Sequence, residues 1–141
     1  MLTLYLCLDL IDGGNEMKKM ILASLLVNVF VLIPVCFSLL TNQPWAVEML
    51  GAFTPARGFL LSLWGTILVV SIGLLFKREP MLVAPLFLLQ IIYKLTTPFT
   101  VGSFTNPVVI SNVVIALFHL ITFTLIIREL RGTASSLHPA E

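Results

Sequence analysis

Charge is what this chain has least of. Only 11% of its 141 residues are Asp, Glu, Lys or Arg, less than half of the roughly 25% usual in soluble domains. Water does not cover a surface so poor in charge, which excludes an ordinary soluble globular protein. The formal net charge is +1, without the basic excess of a nucleic-acid surface, so no nucleic-acid partner is expected. Cysteine is nearly as scarce. Cys7 lies near the N-terminus and Cys36 inside a long apolar run, so neither a CxxC pair nor a disulfide framework can be read. Cys36 reads as a small buried hydrophobe. No catalytic, metal-binding or nucleotide-binding motif occurs, and no metal or cofactor is expected.

What fills the chain instead is apolar sequence, 58% of the residues, with a strongly positive mean hydropathy. The fold class that follows is all-α: a four-helix bundle integral to a membrane, with a short interfacial helix in the first outer loop. The expected domain covers residues 17–131, too short to divide further. Its spans fall at about 20–40, 55–76, 81–97 and 107–127, each near the ~20 apolar residues that cross a bilayer core of roughly 30 Å.

Residues 1–16 sit apart from this plan. Leu2 to Leu10 is apolar but too short to span, and Gly13-Gly14 is expected to end it. Two readings stand: an extension upstream of a natural start at Met17, or an amphipathic segment on the membrane surface. Met20 to Leu40 then exceeds the ~7–15 residues of a signal-peptide core. It also carries Asn28 and Pro34, and reads as a retained span kinked near the proline. Pro44 to Gly51 has proline where a short helix would begin and glycine where it would end, with Trp45 suited to an interface. Thr54-Pro55 caps and opens the second span. Along it Gly58, Ser62, Gly65, Val69 and Gly73 form a small-residue stripe expected to pack closely on another helix.

The third span begins at Pro80. Thr97-Pro98 is expected to end it, leaving PFTVGSFTN as irregular chain folded into the outer mouth. Asn106-Pro107 caps the fourth span, and residues 132–141 read as a disordered tail. Lys18, Lys19, Lys77, Arg78, Arg128 and Arg131 fall on one side, against Arg57 and Lys94 on the other. That asymmetry places both termini in the cytoplasm.

The informative residues are the polar ones at depth. Asn112 and His119 are seven apart, on one face of the fourth span. Neither can face hydrocarbon without a partner, so other spans must meet them. Gln90, Tyr93, Lys94 and Thr97 make a polar face on the third span. Asn28, Gln90, Tyr93 and His119 form the expected intramembrane polar cluster. One reading gives it plain interhelical hydrogen bonds; a sharper one makes His119 a proton relay or ligand contact. Toward the outer side, Glu48, Arg57, Lys94 and Asn112 form a candidate ligand site. Two bases over one acid would suit an anionic headgroup or carboxylate, with Glu48 expected to pair with one of the bases. The plainer alternative is that Lys94 snorkels and Arg57 holds lipid phosphate.

The span count, the arginine opening a glycine-bearing second helix (Arg57-Gly58, Gly65, Gly73) and the short cytoplasmic turns resemble the small bacterial four-span membrane proteins of the DoxX-like kind. That resemblance covers residues 17–131 and implies an inner-membrane location. Some such proteins are associated with membrane redox enzymes, but the lack of paired cysteines here speaks against thiol chemistry. Three functions fit the residues. The first is an accessory subunit or a binder of lipid or another hydrophobic ligand, partnered by the bilayer, a second copy or a membrane complex. The second is an oligomeric transporter or channel component. The third, an enzyme acting on a lipid or quinone, is disfavoured because only one titratable group lies at mid-membrane.

Overall fold

A computed structural model describes the backbone of residues 2–137 and the side chains of residues 14–133. Five helices account for it: α1 (Leu2–Leu40), α2 (Pro44–Leu50), α3 (Pro55–Phe76), α4 (Pro80–Val101) and α5 (Pro107–Leu137). α1, α3, α4 and α5 are each long and apolar enough to cross a membrane. α2 is the short helix expected after the first span, and it buries Ala46.

Local chemistry sets most of the boundaries. The Thr54 hydroxyl accepts the Arg57 N–H at 3.2 Å, and Pro55 supplies the first turn of α3. Asn106 Oδ1 accepts the Val108 N–H at 2.8 Å, with Pro107 between them. Gly102 closes α4 in the left-handed region at φ +66°, where a Cβ would be strained.

Three expected breaks are absent. Gly13-Gly14 does not end a segment, because α1 runs unbroken from Leu2 into the first span. Glycine costs a helix only about 1 kcal/mol, less than the hydrogen bonds a break would forfeit. Thr97-Pro98 does not end α4, which continues to Val101 with Pro85 and Pro98 inside it. Unwinding in lipid would expose backbone groups with no water to bond them. Side-chain bonds brace the turns around Pro98: Thr96 and Thr97 donate to the Tyr93 carbonyl at 2.9 Å, and Thr100 donates to the Thr96 and Thr97 carbonyls. α5 also passes residue 131 and continues to Leu137, so the expected tail is helical that far; residues 138–141 lie outside those described.

Packing is uneven around the bundle. α5 lies along α4 and α1, α1 lies along α3, and α3 barely touches α4. The inward face of α3 is Arg57, Trp64, Ile67 and Ser71. The Gly/Ser stripe is not that face. A Cβ at Gly58, Gly65 or Gly73 would meet nothing within 4 Å, and Ser62 and Val69 are exposed. The reason is the solvent: both sides of α3 are apolar enough for lipid, and the interior selects the bulky and polar side chains that have partners.

Two apolar clusters divide the core. Met17, Ile21, Leu25, Val83, Phe87 and Ile126 fill the end nearer the termini. Leu32, Cys36, Leu39, Trp64 and Ile67 fill the end near α2. A buried polar layer separates them.

Candidate functional site

That layer is built from one or two side chains per helix. Asn28 of α1 donates through Nδ2 to Ser71 Oγ of α3 at 3.1 Å. Its Oδ1 therefore faces His119 Nε2 of α5, 3.0 Å away, and accepts the N–H there. Phe87 of α4 stacks on the imidazole with ring centroids 4.8 Å apart. Toward the termini, the Ser24 and Thr122 hydroxyls bond each other at 2.7 Å. Gln90 is fully buried, yet neither of its amide atoms has a hydrogen-bond partner, and His119 Nδ1 lacks one as well.

Two turns toward α2, Lys94 Nζ donates to Asn112 Oδ1 at 3.2 Å. Both side chains are over nine-tenths buried, and the ammonium lies 5.1 Å from the Tyr93 ring centroid. Lys94 is thus turned inward rather than snorkelling. Ion pairs among the described residues include Lys19–Glu16 and Lys77–Glu79, and none neutralises Lys94.

Asn112 lines two cavities at the α2 end, of about 320 Å³ and 300 Å³. They share Met49, Leu50, Trp64, Val108 and Asn112. The first continues along Tyr93, Thr97 and Thr100 of α4, in the gap where α3 and α4 part. The second runs under Trp45 between α1 and α5. Because Lys94 holds Asn112 Oδ1, the amide leaves its Nδ2 hydrogens for other acceptors. Trp64 Nε1, a donor only, is buried beside Tyr93 Oη, and neither atom has another partner. The polar lining is therefore rich in donors, with a cation behind it.

No family model matches the chain. No curated protein and no solved structure matches it either.

Of the expected outer set, Lys94 and Asn112 come together, and Arg57 and Glu48 do not join them. Arg57 is buried and donates to the Gly51 carbonyl at 2.9 Å and the Leu39 carbonyl at 3.3 Å. It thereby ties the ends of α1 and α2, whose last carbonyls lack helical partners, to the start of α3. Glu48 is exposed and pairs with neither base. The Arg57 guanidinium is already engaged by carbonyls. Of the expected mid-membrane set, Asn28 and His119 bond directly, Gln90 is present without a partner, and Tyr93 belongs to the cavity wall.

Sequence reasoning missed Ser24, Ser71, Thr122 and Trp64. Arg57, Trp64 and Ser71 recur every seven residues, a signal that the glycines of the neighbouring stripe outweighed. Among the described residues no cluster of His, Cys, Asp or Glu has the makings of a metal site.

Proposed function

We propose that this protein binds an amphiphile with an acidic or carbonyl-rich headgroup, in a bilayer, between α3, α4 and α5. The observation that carries this reading is Lys94: a buried cation whose one hydrogen-bond acceptor is Asn112, behind cavities lined by donors. An unpaired buried charge is costly. A carboxylate or phosphate placed at Asn112 Nδ2 and the Tyr93 hydroxyl would satisfy those donors and neutralise the ammonium. The apolar walls, Leu50, Leu60 and Val108 among them, suit an acyl or alkyl tail. In this proposal the α2 end faces outward and both termini face the cytoplasm of a bacterial inner-membrane protein of DoxX-like architecture, acting as a binder or accessory subunit rather than as an enzyme.

The test is to purify the protein from native membranes and identify the co-purifying amphiphiles by mass spectrometry. Lys94→Met and Asn112→Leu should each lose an anionic species that the parent chain retains, with helix content unchanged. Equal retention by parent and variants would overturn the reading.

A further inference from the structure

The amphiphile reading uses Lys94, Asn112 and the cavity wall. Gln90 and His119 remain, both fully buried and both with polar atoms left unbonded. Their placement follows from register. α4 and α5 run antiparallel; Lys94 meets Asn112, and Phe87 stacks on His119. Those two contacts are seven residues apart on each helix, about 10 Å along the axis. Gln90 lies between them on the same face of α4, four residues from Lys94 and three from Phe87. On α5 the intervening inward residue is Ala116, fully buried and offering only a methyl group.

An unbonded carboxamide in an apolar interior costs several kcal/mol, whereas an ordered water costs about 0–2 kcal/mol to immobilise. A water bonded to several polar groups is the usual remedy, and the groups here lie in sequence. From the cavity wall they are Tyr93 Oη and Trp64 Nε1, the free hydrogens of Lys94 Nζ, the two amide atoms of Gln90, and His119 Nδ1. The Lys94–Gln90 and Gln90–His119 steps, about 6 and 4.5 Å of helix rise, are each within the reach of one or two waters. Beyond His119 the series stops. Ser24 donates to Thr122, whose own hydrogen goes to the Phe118 carbonyl, and Ile21, Leu25, Val83, Phe87 and Ile126 close the interior.

We propose that internal water along the α4–α5 seam joins the cavities at the α2 end to His119, and makes that imidazole a proton site served from the α2 face alone. Nδ1 accepts the proton and Nε2–H keeps its bond to Asn28, so charging the ring breaks no contact. The groups facing it from α1 and α3 are uncharged: Ser24, Asn28 and Ser71. From α4 the charged group is Lys94, two turns away. The inference requires no ligand in the cavities, so it stands or falls apart from the amphiphile reading.

Silver ions test it, because they follow water, do not cross lipid, and block a thiol against later alkylation. The full chain, with Cys7 and Cys36 replaced by alanine, is reconstituted in vesicles carrying Ala116→Cys. Thr105→Cys on a separate sample reports which vesicle face is the α2 face. Silver added at that face should protect the thiol at least about tenfold faster than silver at the other face, since only one side offers a chain of bridging water. Gln90→Leu should slow the protection by a similar factor. Equal rates from both faces, or no protection from either, would overturn the proposal. Should Ala116→Cys fail to fold, nitrogen-15 NMR of the histidines in bilayers, in a His138→Gln background, gives the second measurement. A water-proton contact to His119 Nδ1 supports the hydrated seam, and its absence overturns it.

Discussion

Replacing Asn28 by leucine removes two interhelical hydrogen bonds at nearly constant volume. Asn28 is 2% exposed and joins α3 to α5 through Ser71 and His119. Hydrogen bonds between membrane helices average about 0.6 kcal/mol and reach about 1.7, so losing both should cost about 1–3 kcal/mol. A cavity term is avoided because leucine fills the site. His119→Phe is the companion change: it keeps an aromatic ring on Phe87 while deleting the bond to Asn28. In the double variant the Asn28–His119 interaction is already gone, so the two costs should fall short of additive by about 0.6–1.7 kcal/mol, the energy of the shared bond. The assay is reversible unfolding in mixed micelles, with helix loss followed by circular dichroism. Additive costs, or an Asn28→Leu variant as stable as the parent, would refute the view that this layer helps hold the bundle together.

Further outcomes follow from the same geometry. Gly65→Leu should leave unfolding within about 0.5 kcal/mol of the parent, as at sites away from the packed core, since Gly65 is half-buried and nothing stands within 4 Å of its Cβ position. Ser71→Leu, fully buried, should cost about 1–3 kcal/mol by overpacking the α1–α3 contact; the reverse pattern would mean the stripe is the packed face. Arg57→Lys should loosen the segment 41–54, because a single ammonium replaces the planar fork that reaches two carbonyls. Faster proteolysis there, with the spans intact, is the expected readout, and unchanged cleavage would deny the tie. In a background lacking Cys7 and Cys36, Thr105→Cys should react with an impermeant maleimide from outside intact cells and Thr133→Cys should not. The opposite labelling would invert the proposed orientation.

The four spans were legible in the sequence because apolar length is a local property and bilayer thickness converts it directly into a helix. Thr54-Pro55 and Asn106-Pro107 announced their helix starts for an equally local reason, a capping side chain ahead of a residue with no N–H to satisfy. The inward faces of α4 and α5 could also be read, since Gln90, Lys94, Asn112 and His119 are polar exceptions on an apolar background. Only the tertiary structure decided which of them meet: Lys94 with Asn112, Asn28 with His119, and Gln90 with none. It also turned Arg57 to backbone carbonyls and left Glu48 outside, because the free ends of α1 and α2 converge on that guanidinium. The continuity of α1 through Gly13-Gly14 and of α4 through Pro98 was hidden for a related reason. Glycine weakens a helix without forbidding it, and a proline breaks one readily only where water can take up the freed backbone, which lipid does not allow. The packing face of α3 left little trace in composition, since lipid is as apolar as the interior; Trp64, Ile67 and Ser71 face inward because their partners on the neighbouring helices are there.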